Sequence, residues 1–201
     1  MCIFIDREWY STDEHMDDPY YSYAPTLLPS RPIALIGLPG ARVPMVGAML
    51  SVLTGLPFLD LERLVEHHSG QSLAQITFEQ GQDGLAAHER RILIRVLAES
   101  PPPIIALSTA TLTAPKTRHI LRQRADVFYV KRPVKSCLQA LQRDPSRCWP
   151  MHPSQVQTTD ALHGVLTANT AGYHSAQHTI QAADRHPQRI ALEIIDTLSA
   201  A

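Results

Sequence analysis

Residues 33–47, Ile-Ala-Leu-Ile-Gly-Leu-Pro-Gly-Ala-Arg-Val-Pro-Met-Val-Gly, restrict what this chain can fold into more than any other stretch. Ile33 to Ile36 read as a buried strand, Gly37, Pro39 and Gly40 as a turn, and Met45 to Thr54, with Leu50, Val52 and Leu53, as a helix ended by Gly55 and Pro57. Strand, glycine-rich turn and helix in that order are the layout of a phosphate-binding loop, where backbone N–H groups and a helix N-terminus surround a polyphosphate. The side chains that normally complete the chemistry are missing. Against the pattern G-x-x-x-x-G-K-[ST], Gly37 takes the first glycine, while Arg42, Val43 and Pro44 replace the second glycine, the lysine and the hydroxyl residue.

Beyond Ile33 strand-like and helix-like runs alternate, which predicts an α/β three-layer sandwich with a central parallel sheet flanked by helices. Further strands are expected at Phe58-Leu59-Asp60, at Ile104 to Leu107 and at Val127 to Val130. Helices are expected from Leu61 toward Gly70, on Leu73, Ile76 and Phe78, from Leu85 to Leu97, up to Arg124, over Val134 to Leu141, and at the C-terminus through Leu198. Residues 144–157, rich in proline and without a clear period, read as a surface loop or lid. Residues 1–30 differ from the rest. Six acids face only Arg7, with Trp9, Tyr10, Tyr20, Tyr21 and Tyr23 between them, so this segment is expected to be a flexible acidic arm; a partner-docking peptide is the alternative.

A formal net charge of -1 over 201 residues removes the electrostatic case for nucleic acid or an anionic membrane as partner. No run is long and apolar enough to span a bilayer, and the opening Met-Cys-Ile-Phe-Ile is interrupted at Asp6, so a cytoplasmic location is expected. Cys2, Cys137 and Cys148 have no C-x-x-C spacing and are read as reduced thiols. His174 and His178 stand four apart on an expected helix with His163 upstream, a spacing that suits zinc; without a third ligand or H-E-x-x-H the simpler reading is a surface face.

The succession of motifs from Ile33 to the C-terminus resembles the shikimate kinase family of small P-loop kinases. Phe58-Leu59-Asp60-Leu61-Glu62 is similar to the family's aromatic-x-Asp-x-Asp stretch, which implies that Asp60 takes the magnesium-holding position and Glu62 that of the acid on a substrate hydroxyl. Phe78 to Glu89 resembles F-x-x-x-G-E-x-x-F-R-x-x-E with one residue fewer before the glycine. Gly81 and Glu89 match, and Ala86 replaces an arginine that grips the substrate carboxylate. Ser108, Thr109 and Ala110 replace three glycines after the strand at Ile104. Arg143-Asp144-Pro145-Ser146-Arg147 resembles the start of the lid, with Arg147 on the lid arginine that approaches the nucleotide. Tyr173 matches a family tyrosine, and Asn169 falls where a second substrate-binding arginine belongs.

The resemblance thus implies a nucleotide site at Gly37, Gly40, Ala41, Arg42, Val43, Pro44, Met45 and Arg147, and an acceptor site at Glu62, Ala86, Ser108, Thr109, Ala110 and Asn169, both altered. A P-loop lysine sets a charge against the β and γ phosphates and the next hydroxyl ligates Mg²⁺. Val43 and Pro44 supply neither, and Pro44 lacks an N–H. Two lost arginines remove charge-assisted contacts of ~1.5–3 kcal/mol each. Three readings follow. In the first, the protein keeps the fold but is catalytically impaired and acts in ligand binding or regulation, with no resident cofactor. In the second, it is an active ATP- and Mg²⁺-dependent phosphotransferase to an alcohol, with Arg42 as substitute cation and Asp60 retained for the metal. In the third, it is an interaction module that docks a protein partner through residues 1–30. For Asp60 a helix-capping role weighs equally with a metal role, and Glu62, Glu89 and Arg147 are also readable as solvated surface residues.

Overall fold

Ile33, Ala34, Leu35 and Ile36 are apolar on both faces of the strand, as a strand covered by helices on both sides requires. The computed structural model describes residues 2–5, 8–11, 29–112, 114–143, 158–183 and 185–200. Within them β3 (Ile33–Ile36) lies at the centre of a five-stranded parallel sheet. Its neighbours are β5 (Ile104–Ala106), with Ile33 opposite Ile104, and β6 (Asp126–Lys131), with Ile33 opposite Asp126. β4 (Phe58–Asp60) and β7 (His178–Gln181) form the edges, giving the order β4-β5-β3-β6-β7. The helices are α1 (Val43–Thr54), α2 (Leu61–Ser69), α3 (Leu73–Val96), α4 (Pro115–Arg124), α5 (Val134–Arg143), α6 (Thr159–Ala168), α7 (Thr170–Tyr173) and α8 (Pro187–Ser199). Together sheet and helices make the expected three-layer α/β sandwich. β1 (Cys2–Ile5) and β2 (Glu8–Ser11) pair antiparallel as a separate two-stranded unit within the segment read as an arm.

The core is the sheet and the helix faces laid on it. Phe128, Leu35, Ile36, Leu50, Leu93 and Ile104 are fully enclosed; each such side chain contributes about 1.5–3 kcal/mol by leaving water. α1 and α8 pack side by side over the sheet, and α4 lies along β6. Arg31 fixes the start of β3: its guanidinium pairs with Asp126 at 3.1 Å and donates to the carbonyls of Arg122 and Ala125.

The two helices expected on Leu73, Ile76 and Phe78 and from Leu85 to Leu97 both form, following one another within α3 and separated at Gly81, whose φ of 70° and ψ of -177° are non-helical and open almost only to glycine. Two other expectations fail locally. Phe78 does not join Leu73 and Ile76 inside; it is 92% exposed, because an i, i+3 face that contains 73 and 76 leaves position 78 on the far side. Finally, His174 and His178 do not share a helix. His174 caps the end of α7, while His178 lies in β7 with its ring stacked on Phe128 at 4.6 Å.

Candidate functional site

Parallel α/β sheets place their sites beyond the carboxyl ends of the strands, and here the loops leaving β3, β4 and β5 bound a cavity of about 850 Å³. Gly37 to Met45, with the exception of Ala41, line it from β3, Asp60, Glu62, Arg63 and Glu66 from β4 and α2, and Leu107, Ser108 and Thr109 from β5. Ser72, Leu73 and Ala74 add the start of α3, and Ala140, Leu141 and Arg143 the last turn of α5.

The turn at Gly37–Arg42 joins β3 to α1. Ala41 N–H donates to the Leu38 carbonyl at 2.8 Å, and Met45 and Val46 N–H both donate to the Arg42 carbonyl, so three loop donors are used internally. Pro39 and Pro44 have none to offer. Arg42 is the N-cap of α1 with φ 60° and ψ 32°, a left-handed conformation that costs a non-glycine residue roughly 1–2 kcal/mol. Val43 is buried at the first helical position and Pro44 follows it, where a proline suits a helix start. Met45 is 47% exposed at the cavity wall.

Gly40, at φ 83°, lies against the backbone of α5 at Cys137, and Arg132 donates to the Gly40 carbonyl at 3.0 Å. The loop is therefore clamped from the β6–α5 side. Burial raises the Cys137 thiol to about 11, which makes it an inert packing group. On the other flank Thr109 Oγ1 and Tyr173 Oη reach the Gly37 carbonyl at 3.4 and 3.5 Å, and Tyr173 stacks on Tyr129. Burial pushes both tyrosine hydroxyls above their ordinary value, so they stay protonated.

Asp60 accepts from Glu62 N–H at 3.1 Å as the N-cap of α2, with Arg63 Nε 4.0 Å away. Its capping role is thus visible in the geometry. Glu89 corrects its reading as a solvated residue: it is 1% exposed, and its carboxylate accepts from Ser108 Oγ at 2.5 Å and Thr111 Oγ1 at 3.1 Å. Its helical position is on the inner stripe with Leu85, Ile92 and Leu93. Asn169 is buried between α6 and α7, donating to the Val165 carbonyl at 2.9 Å, and neither it nor Ala86 lines the cavity. Ala110 begins a short 3-10 turn after Thr109. Arg147 and the rest of the expected lid lie outside the described residues.

Burial raises the Glu89 carboxyl above its ordinary 4.5, against the lowering by its two hydroxyl donors. The sign follows from proton linkage. Between the unfolded and the raised folded value the native state holds more protons, so stability falls as pH rises through that interval and is level above it. Subtracting the melting profile of Glu89→Gln from that of the parent protein isolates this decline above pH ~4.5; parallel profiles would contradict it.

Arg132 and Thr111 were not legible as site residues. A usable signal existed for Arg132, since Lys131-Arg132-Pro133 puts a basic pair at the carboxyl end of a strand, where sites gather.

Magnesium and a nucleotide are what the P-loop layout implies, and the cations that line the cavity are Arg42, Arg63 and Arg143. The side chains of Val43, Pro44 and Met45 carry no charge and no oxygen, Asp60 Oδ1 caps α2, and among the described residues no group of three His, Cys, Asp or Glu is placed to hold a metal ion. Nor is any helix among them long and apolar enough to cross a membrane.

Comparison with known proteins agrees with the fold. The chain is 29% identical to a shikimate kinase of Caulobacter vibrioides over 170 residues, 85% of this chain and 82% of that one. It is 27% identical to one from Salinibacter ruber over 196 residues, 92% and 95% of the two chains. The structure superposes on shikimate kinase from Acinetobacter baumannii in complex with shikimate with a TM-score of 0.75, 25% identity and coverage of 85% and 93%. On the Bacteroides thetaiotaomicron shikimate kinase the TM-score is 0.76 at 16% identity, covering 84% and 98%. The sequence model of the family "Shikimate kinase" matches residues 44–199, from Pro44 in the first turn of α1 to the end of α8, and the chain belongs to the shikimate kinase family.

Proposed function

We propose that this protein keeps the shikimate kinase architecture without phosphoryl transfer to shikimate, and uses its cleft to bind a ligand in a binding or regulatory role. The observation that carries the reading is the first turn of α1. Val43 and Pro44 stand at the lysine and hydroxyl positions, Val43 is turned into the core, and Pro44 has no N–H. Phosphoryl transfer rests on positioning and on neutralising charge at the phosphates, and this turn provides neither. The acceptor side supports the same reading, because Ala86 and Asn169 replace the two arginines of the family pattern and lie away from the cavity wall.

A coupled assay with shikimate and Mg-ATP tests this. No turnover above the enzyme-free rate is expected, and turnover abolished by Asp60→Ala would overturn the reading. One observation favours an active kinase of altered specificity as the second reading: Arg42 is held in a left-handed conformation at the cavity, and local strain gathers at functional sites. In that case Mg-ATP raises the melting temperature and Arg42→Ala removes the rise.

A further inference from the structure

The net charge of -1 conceals a separation of charge along the chain. Six acids, Asp6, Glu8, Asp13, Glu14, Asp17 and Asp18, precede Pro19, with Arg7 as the one base among them. Between Glu99 and Asp126 the sign is reversed, for this stretch carries Lys116, Arg118, Arg122 and Arg124 and no acid.

All four of these cations stand on α4. Thr117 and Leu121 form its buried side, so Lys116, His119 and Arg122, at successive steps of three, run along the opposite side. These three and Arg124 are exposed. Arg118 donates to the Leu112 carbonyl at 2.7 Å, whereas the side chains of Lys116, Arg122 and Arg124 make no hydrogen bond or ion pair among the described residues. The next acid in sequence, Asp126, is taken by Arg31 at 3.1 Å. Arg118 and Arg122 are four apart, a like-charge spacing that costs a helix stability. A covering of opposite charge relieves that cost.

The chain supplies such a covering at the right place. It enters the fold at the C-terminal end of α4, where the Arg31 guanidinium donates to the Arg122 and Ala125 carbonyls and Asp126 N–H donates to the Pro32 carbonyl. α4 has 10 residues and is about 15 Å long. The 12 steps from Ser30 back to Asp18 span up to about 40 Å, so the acids at 13–18 can reach every turn of it. A short tether also holds them at an effective concentration of roughly millimolar, which a free anion does not have. Residues 144–157 carry only Asp144 against Arg147 and bring no net charge of their own.

We infer that the exposed side of α4 is the docking site of the acidic segment Asp13–Asp18 of the same chain. Lys116, Arg122 and Arg124 meet Asp13, Glu14, Asp17 and Asp18, and the rings of Tyr20, Tyr21 and Tyr23 follow close enough to cover the guanidinium faces. No residue of α4 lines the cavity, so docking leaves the cavity open, and an anionic partner reaches α4 only by displacing the segment.

Zero-length carbodiimide cross-linking of the full chain tests this, because Lys116, Lys131 and Lys135 are its three lysines. At about 0.02 M salt, links from the acids at 13–18 are expected at Lys116 in about tenfold excess over Lys131 and Lys135, and to fall about tenfold at about 0.5 M salt, where screening is nearly complete. Arg122→Glu/Arg124→Glu, with folding checked by its melting temperature, should cut the Lys116 yield about tenfold, and adding Asp17→Arg/Asp18→Arg should restore the links from Asp13 and Glu14 to within about threefold. In a mixture of ¹⁵N-labelled and unlabelled protein, each link should join peptides of one isotope. Links spread evenly over the three lysines, no link at Lys116, or a Lys116 yield insensitive to salt or to the charge reversal would each overturn the inference. Links that join the two isotopes in statistical proportion would also overturn it and assign α4 to the segment of a second copy. The salt series on the parent protein decides the matter even where a charge-reversed variant does not fold.

Discussion

Arg42→Gly, Val43→Lys and Pro44→Ser introduced together are expected to raise the Mg-ATP affinity of this protein by about a hundredfold or more. The backbone needed for such a gain is in place: β3 ends at Ile36, the turn is clamped at Gly37 and Gly40 from both flanks, and α1 begins at Val43. Each substitution restores one interaction. Glycine at 42 occupies the left-handed conformation without strain, lysine at 43 adds the point charge, and serine at 44 adds a metal ligand and one backbone N–H. Two charge-assisted contacts at ~1.5–3 kcal/mol each amount to a gain of about a hundredfold or more. Titration of the triple variant checks this, with the melting temperature as control for folding. A folded variant that gains no affinity would place the obstacle elsewhere in the cleft.

Gly40→Ala is expected to be the most damaging small change in the loop. A Cβ at Gly40 would meet the carbonyl oxygen of Cys137 and come within 2.9 Å of its carbonyl carbon, and these are backbone atoms of a helix that cannot rotate away. The residue is also at φ 83°, which alone costs alanine roughly 1–2 kcal/mol. Overpacking adds ~1–3 kcal/mol, so thermal unfolding should show a loss of about 2–5 kcal/mol, a large part of the stability of an ordinary domain. Gly55→Ala is the matched comparison, because Gly55 has φ 70° with open space around its Cβ. It should show the conformational cost alone, ~1–2 kcal/mol. Equal losses at the two positions would mean that the loop is not seated against α5.

The central strands and the helix caps were legible because they rest on local chemistry. Ile33 to Ile36 and Ile104 to Ala106 are uninterrupted apolar runs, and Gly55 and Gly70 end their helices in left-handed conformations as glycine permits. β7 was not legible. Its sequence, His178-Thr179-Ile180-Gln181, buries only Ile180, and as an edge strand it carries too little apolar signal to outweigh an i, i+4 histidine pair. The site was half legible. That Val43 and Pro44 stand at the lysine and hydroxyl positions of the P-loop pattern follows from residue identity, and so could be read directly. The state of Glu89 could not, because its partners Ser108 and Thr111 are 19 and 22 residues away and their approach depends on how α3 packs against the turn at Ala110–Leu112 that follows β5. Phe78 shows the opposite error, since its place beside Leu73 and Ile76 in sequence suggested a shared buried face and it is exposed.

The most direct measurement of the central claim is calorimetric titration of the parent protein with ATP and ADP, with and without Mg²⁺. A loop whose first helical turn is Val43-Pro44-Met45 predicts that Mg²⁺ makes no difference to either nucleotide, whether the heat is absent or small. Nucleotide binding that appears only with Mg²⁺, and is lost in Asp60→Asn, would contradict the account.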